Sequence, residues 1–374
     1  MTAEGDTLWI QRALELAGQA VGISEPNPRV GCILVSATGQ VLGSGSTQRQ
    51  GGPHAEIVAL RDAAARGHAT RGATAFVTLE PCSHHGRTGP CCDALIAAGI
   101  GRVVASIADP NPLVSGRGFA RMRAAGVAVD VGTGALLARE CNMGFFSRMI
   151  RKSPWVRMKV AASLDGRTAL DSGESQWITS DAARSDGHAW RARAGAVLTG
   201  IGTVLADDPR LDVRRVPCSR QPTLVVVDSR LETPPDAKLF LPGRTVLIYA
   251  AVRDAGREQA LASRGAEIVY KPGGGSSDSP KVDLQAMLAD LALRETNEVH
   301  VEAGYKLNGS LLREGLVDEL LVYLAPTLIG QGRPMAQFGP LASLQDSLKL
   351  EFLSTAMVGP DLRLVARIAA RANF

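Results

Sequence analysis

No stretch of the 374 residues approaches the roughly 20 consecutive apolar positions that a bilayer-spanning helix needs. The N-terminus, Met1 to Asp6, is polar and acidic, without the basic-then-apolar layout of a secretory signal. A cytoplasmic protein with no membrane partner is therefore expected. Basic blocks are also missing. Residues 1–150 contain no Lys, 13 Arg and 11 acidic residues, a balance of +2; the remaining 28 basic and 26 acidic residues add +2, giving the net +4. No basic tail or stripe exists to bind nucleic acid, and no nucleic-acid partner is expected. The chain has no sequence repeat. Its second half lacks a strand-linked G-x-G-x-x-G, which argues against a Rossmann dinucleotide domain there.

What is present is a globular composition, 45% apolar and 21% charged, in a chain long enough for about two domains. In the first half, helical spacing over 8–21, 54–65, 91–98 and 118–125 alternates with apolar strand-like runs at 30–35, 73–79, 102–107 and 127–131. A second strand near 41–44 follows a turn at Gly39, and a last helix runs to about Arg148. Strands alternating with helices indicate layered α/β structure. Arg151-Lys-Ser-Pro154 ends that helix and marks a junction between domains at 1–150 and 154–374. The second half opens on a strand at 155–163. Further strands are expected at 196–199, 223–227, 245–250, 267–270, 298–301 and 319–324, with an antiparallel pair at about 348–355 and 361–368. Residues 271–281 (KPGGGSSDSPK) read as a flexible loop.

Six cysteines are present, four of them in the first 100 residues. Clustered Cys beside clustered His indicates metal or catalysis before disulfides in a reducing compartment. His54-Ala-Glu56 begins a helix, Cys82 follows Pro81, and Cys91 opens the next helix. One imidazole and two thiolates hold a tetrahedral Zn²⁺ with its fourth position open. Zinc lowers the pKa of a bound water from 15.7 to about 7. Glu56, two residues after the His ligand, then shuttles protons, an arrangement suited to hydrolytic deamination of an amino-substituted base. A closed zinc knot is the bland alternative, but it has no use for Glu56. Cys92 competes with Cys91. Successive helix positions differ by about 100°, so only one of them faces the metal, and Cys91 is favoured by its place at the helix start. His84 and His85 read as loop residues facing substrate or solvent.

At these residues a family resemblance enters. Asn27-Pro-Arg-Val-Gly31, His54-Ala-Glu56, the run Thr78-Leu-Glu-Pro-Cys-Ser-His-His-Gly-Arg-Thr-Gly-Pro-Cys91 and Asp109-Pro-Asn-Pro112 closely resemble the bacterial bifunctional riboflavin-biosynthesis deaminase/reductases. The long spacing between Cys82 and Cys91 is distinctive of that family among cytidine-deaminase-like proteins. Gly89 stands where the family has Pro. The resemblance implies an N-terminal cytidine-deaminase-like three-layer α/β/α domain. Its implied reaction is zinc-dependent deamination of 2,5-diamino-6-ribosylamino-4(3H)-pyrimidinone 5′-phosphate at C2. Asn27, His84, Arg87, Asp109 and Asn111 are then expected to contact base, ribose and phosphate. A guanidinium at Arg87 suits bidentate phosphate binding, though a solvated loop Arg remains open.

In the second half, Gly304-Tyr-Lys-Leu-Asn-Gly309 follows a strand and opens a helix, whose N-terminal N–H groups suit a phosphate. A plain strand–helix turn reads equally well. The resemblance is stronger here. Lys159-Val-Ala-Ala-Ser-Leu-Asp-Gly-Arg-Thr168, Ser172-Gly-Glu-Ser-Gln-Trp-Ile-Thr179, Thr203-Val-Leu-Ala-Asp-Asp-Pro-Arg-Leu211 and Val301-Glu-Ala-Gly304 resemble the reductase domain of the same family, as do Val317-Asp-Glu-Leu320 and Ala325-Pro-Thr-Leu-Ile-Gly330. That implies a dihydrofolate-reductase-like α/β domain that uses NADPH to reduce ribosyl to ribityl. Carried over by position, Ala161, Trp177, Thr203, Asp207, Ser229, Gly304, Tyr305, Lys306, Leu307, Asn308, Gly309 and Ser310 contact NADPH. Ser175, Arg191, Leu211, Arg214 and Glu302 contact the substrate, with Arg191 and Arg214 on its phosphate. Core packing for Trp177, a turn cap for Asp207 and a backbone-bonded buried carboxylate for Glu302 remain as bland alternatives. The family association implies a homodimer or homotetramer. The main rival is a nucleic-acid base deaminase with an appended binding domain, which needs basic runs and a short Cys-x2-Cys loop that this chain lacks. The other rivals are a zinc-stabilised binding protein and a deaminase whose reductase half has become a dimerisation module.

Overall fold

The computed structural model describes residues 3–84, 89–112, 114–276 and 279–374. They form two compact units, Met1–Arg151 and Lys152–Phe374. No described helix is long and apolar enough to cross a membrane.

The first unit is built on a five-stranded sheet in the order Val41–Ser46, Gly31–Val35, Thr74–Val77, Arg102–Ala105, Ala128–Val131. The first two pairings are antiparallel and the last two parallel. Side chains alternate across a strand, so Gly31 and Cys32 mark opposite faces. A Cβ at Gly31 would lie 1.9 Å from the Ala13 carbonyl oxygen, so helix Ala3–Gly18 packs tightly on that face. Gly45 pairs with Cys32, and a Cβ there would lie 2.6 Å from the Ala55 carbonyl oxygen. Helix Ala55–Ala65 therefore covers the opposite face, and the result is three layers, α/β/α. Small residues at the sheet surface seat the start of this helix, with His54 and Glu56, close against the strands. The expected single terminal helix is two, Ala135–Cys141 and Met143–Arg151. Asn142 between them uses its side chain elsewhere. Its Oδ1 accepts from the Arg29 amide at 2.7 Å and its Nδ2 donates to the Arg29 carbonyl at 2.8 Å, which anchors the turn after Asn27.

The second unit holds a nine-stranded sheet. In spatial order its strands are Ala266–Tyr270, Val246–Ala250, Thr223–Val227, Ala196–Gly200, Glu298–Val301, Trp155–Ser163, Glu319–Ala325, Asp361–Ile368 and Leu350–Val358. The first seven run parallel and the last two pair antiparallel. Parallel strands buried on both faces need continuous apolar runs, and Thr223–Val227 and Val246–Ala250 supply them. One core packs Met287, Leu288 and Leu291 of helix Leu284–Leu293 against the sheet. A second core gathers Val197, Leu224, Val226 and Ile248 with Leu239 and Leu261. The described residues of 271–281, expected as a flexible loop, contain regular structure. Pro272–Ser276 and Ser279–Val282 pair as an antiparallel ribbon whose backbone groups bond to each other, so polar, glycine-rich composition does not preclude order here.

Candidate functional site

His54 is the N-cap of helix Ala55–Ala65, and Cys91 is the first residue of helix Cys91–Ala97. Strand Thr74–Val77 runs toward Cys82 between them. His54 Nδ1 lies 3.5 Å from Cys82 Sγ and 3.3 Å from Cys91 Sγ, and the Cys91 amide points at Cys82 Sγ from 3.3 Å. The three donor atoms lie within 4.8 Å of one another, and no other such cluster exists among the described residues. Two sulfurs and one imidazole nitrogen at this separation fit a tetrahedral zinc ion with one position left over. Hydrogen bonding between the thiols pulls Cys82 down to about 4 and pushes Cys91 well up, so the pair holds one proton between two close sulfurs. A divalent cation relieves that crowding by taking both as thiolates. Cys92 is not part of the cluster. Its Sγ points toward Asp93 Oδ1 at 3.7 Å, and burial pushes its thiol up to about 11.

Glu56 is only 3% exposed. Burial, reinforced by the Cys82 charge, pushes it up to about 7, the range in which a carboxyl both takes and gives protons at neutral pH. Asp109 is likewise pushed up to about 7 by burial, and its Oδ1 accepts from the Asn111 amide at 2.8 Å. The residue that shapes this loop carried no role in the sequence reading. Glu80, two residues before Cys82, is buried, and its carboxylate accepts from the amides of Asp109 (3.2 Å), Gly116 (2.9 Å) and Gly118 (2.9 Å). It therefore ties the Cys82 segment to the loop bearing Asp109 and Asn111. The signal was available as a carboxylate within an apolar strand end, but its partners lie 29 to 38 residues away. His84 has a buried Nδ1 with no hydrogen-bond partner. Asn27 sits in a half-buried turn whose amide donates to the Ser24 carbonyl at 2.8 Å. Arg87 and His85 lie outside the described residues.

In the second unit a cleft of about 1220 Å³ opens beyond the C-terminal ends of strands Ala196–Gly200, Thr223–Val227 and Glu298–Val301. Ligands bind at this edge in open α/β sheets, where successive connections leave in opposite directions. Ala161, Trp177, Thr203, Asp207, Ser229, Gly304, Tyr305, Lys306, Leu307, Asn308 and Ser310 all line it, as do Ser175, Arg191, Leu211, Arg214 and Glu302. Gly309 does not. A Cβ there would lie 2.1 Å from the Gln337 carbonyl oxygen, so its role is helix packing. Trp177 is 67% exposed in the cleft, which rules out core packing as its reason. Gly304 caps helix Tyr305–Arg313, leaving the first amides of that helix toward the cleft.

Glu302 is the charge centre of the cleft. Arg191 forks onto its carboxylate at 2.7 and 3.0 Å, and Lys159 Nζ lies 3.7 Å away. Burial opposes the negative charge, but Arg191 and then Lys159 outweigh it and hold Glu302 well below the usual carboxylate range. The third arm of Arg191 goes to the Asp212 carbonyl. Three of its five N–H donors are thus used, and the half-exposed Arg210 and Arg214, paired with Asp212 at 2.8 and 2.6 Å, line the cleft beside it. Lys159 and Arg210 are cleft cations to which the sequence reading gave no role.

Two family models match this chain: the zinc-binding region of cytidine and deoxycytidylate deaminases over residues 3–107, and the RibD C-terminal domain over residues 154–364. The riboflavin biosynthesis protein RibD of Escherichia coli is 44% identical, covering 96% of this chain and 98% of its own length. RibD of Aquifex aeolicus is 38% identical, covering 97% and 98%. Among solved structures, Acinetobacter baumannii RibD superposes with a TM-score of 0.88 at 40% identity, over 98% of this chain and 99% of that one. A diaminohydroxyphosphoribosylaminopyrimidine deaminase/5-amino-6-(5-phosphoribosylamino)uracil reductase from Thermotoga maritima does so with 0.85 at 30% identity, again over 98% and 99%. End-to-end similarity of this kind, with both domains in the same order, means that the chain belongs to the RibD family of bifunctional deaminase/reductases of riboflavin biosynthesis.

Proposed function

We propose that the chain performs two steps on one phosphorylated pyrimidine nucleotide. The first unit removes the C2 amino group of 2,5-diamino-6-ribosylamino-4(3H)-pyrimidinone 5′-phosphate by hydrolysis. The second reduces the ribosyl group of the product to ribityl, giving 5-amino-6-(5-phosphoribitylamino)uracil. The observation that carries the reading is the convergence of His54, Cys82 and Cys91 beside the buried Glu56.

Zinc and NADPH are the cofactors of the two units. His54, Cys82 and Cys91 would hold the zinc, which when bound supplies the Lewis acidity that makes water nucleophilic at neutral pH. Glu56 takes the proton of the attacking water on its carboxylate and returns it to the departing amine. Its buried, near-neutral carboxyl can serve in both directions without being a ligand. Asn27, His84, Asp109 and Asn111, with Arg87, orient the nucleotide. In the reductase, NADPH would be held by the helix start at Gly304, Tyr305, Lys306, Leu307, Asn308 and Ser310, together with Ala161, Trp177, Thr203, Asp207 and Ser229. Arg191 and Arg214 bind the substrate phosphate, with Arg210 beside Arg214 and Glu302 orienting Arg191. Hydride transfer then needs the two reacting carbons held together in a dry cleft.

The test supplies the diaminopyrimidinone nucleotide to the full chain with and without NADPH. Deaminated product should accumulate without NADPH, and the ribityl product should form with it. A 154–374 fragment should reduce the deaminated nucleotide without zinc. A folded fragment that neither binds NADPH nor reduces it would refute the division of labour.

We also propose that the chain works as a homodimer or homotetramer. Leu350–Val358 is an edge strand of the large sheet, and its Phe352 and Met357 are 70% and 66% exposed. An unpaired edge bearing large apolar side chains favours association with a second copy. Sedimentation should give an oligomer that Phe352→Lys dissociates; a monomeric wild-type mass would overturn this.

A further inference from the structure

Residues 208–214, between helix Ile201–Asp207 and strand Thr223–Val227, contain no helix or strand. Leu211 within them has φ +51°, a left-handed backbone that a branched side chain disfavours. Nothing in regular secondary structure holds that shape, and buried backbone polar groups must find partners elsewhere. Side chains supply them. Arg244 donates to the carbonyls of Arg210 (2.8 Å) and Leu211 (2.7 Å), and its Nε to that of Pro222 (3.2 Å). Gln221 brackets Val213, accepting from its amide at 2.8 Å and donating to its carbonyl at 2.9 Å. The Arg214 amide donates to His188 Nδ1 at 3.2 Å.

We propose that Arg244, Gln221 and His188 are positioning residues of the reductase site, holding 210–214 so that Arg210, Leu211 and Arg214 face the substrate. None of the three lines the cleft, so each acts through this segment. Arg244 is the strongest case. It is 7% exposed, and its guanidinium hydrogen-bonds to carbonyls alone. Burial and the nearby Arg191 charge push it down to about 10. A buried cation without a bonded carboxylate is costly to keep, and simple packing is served better by an apolar side chain. Its three carbonyl bonds give the reason for its presence: a planar fork spans two successive carbonyls of a left-handed turn, which Lys cannot do. His188 fits the same scheme. Burial, then Arg191 and Arg214, lower its pKa to about 4, so Nδ1 stays an acceptor at neutral pH.

The proposal rests on the reading that Arg214 contacts substrate phosphate, and the experiment separates the two. Reductase kcat and KM for the deaminated nucleotide are measured in the full chain for Arg214→Gln, Arg244→Met, Arg244→Lys and Gln221→Met, together with NADPH affinity and deaminase rate. Misplacing a phosphate contact removes uniform binding, so Arg244→Met and Gln221→Met should raise KM about tenfold with kcat nearly unchanged. NADPH affinity and deamination should stay at wild-type levels, and Arg244→Lys should recover part of the KM. If Arg214→Gln leaves KM unchanged, the substrate reading fails and the proposal with it. If Arg214→Gln raises KM but the other variants do not, the positioning role alone is wrong. A fall in kcat and NADPH affinity together with the rise in KM would show a merely structural role. Should Arg244→Met not fold, the uncharged Gln221→Met decides.

Discussion

Glu56→Gln is expected to lower deaminase turnover by about 10²–10⁴-fold while zinc content and reductase activity stay at wild-type levels. The substitution keeps shape and removes the only function that needs a carboxyl. Glu56 lies on the first turn of helix Ala55–Ala65 and is buried, so Gln is accommodated there as a neutral isostere. Protons must move from the attacking water to the leaving amine, and an amide cannot carry them. The metal cluster is the internal control. Cys91→Ser should lose or weaken zinc, because Cys91 Sγ sits 3.3 Å from His54 Nδ1. Cys92→Ser should retain it, because Cys92 Sγ is turned toward Asp93. Metal analysis and steady-state deamination of the three variants check the assignment. Full turnover by Glu56→Gln would sink it, and zinc loss in Cys92→Ser alone would exchange the ligand.

The second large effect concerns stability. Glu302→Ala should destabilise the reductase unit by about 3–5 kcal/mol at pH 7, because it strands the buried Arg191 cation beside Lys159. The pH dependence follows from the sign of the shift. Glu302 is held below its ordinary value, with Arg191 and Lys159 overcoming burial. Its contribution is therefore complete above the unfolded value near pH 4.3 and is lost as pH falls through the lower folded value. The gap between wild type and variant should narrow between pH 7 and pH 3. Denaturant unfolding of the full chain at both values, with NADPH fluorescence reporting the reductase unit, measures it. A loss below about 1 kcal/mol at pH 7, or an equal loss at both pH values, would show that the ion pair does not carry the charge centre.

The metal cluster was legible because its signal is local. His54, Glu56, Cys82 and Cys91 sit at helix starts and after a Pro, and helix periodicity separates Cys91 from Cys92. Alternation of apolar runs and helical spacing likewise indicated two α/β units, and the strand Trp155–Ser163 falls at its expected bounds. Nearly all the reductase residues named by motif resemblance line the cleft, because strand ends and the turns after them keep their sequence pattern.

Partnerships that cross many residues were decided only in the tertiary structure. Glu80 bonds amides near Gly116, Asn142 grips Arg29, and Arg244 reaches Arg210 and Leu211. A lone Glu, Asn or Arg in sequence carries no mark of which backbone group it will meet. The same holds for the bonds that orient Arg191 in the cleft, to the Glu302 carboxylate and the Asp212 carbonyl. It holds again for 271–281, where composition indicates a loop but two segments pair into a ribbon. Periodicity and cap chemistry act over a few residues and are written in the sequence. Which buried charge or amide satisfies which backbone group depends on segments brought together from 8 to 113 positions apart, and only the packed fold sets that.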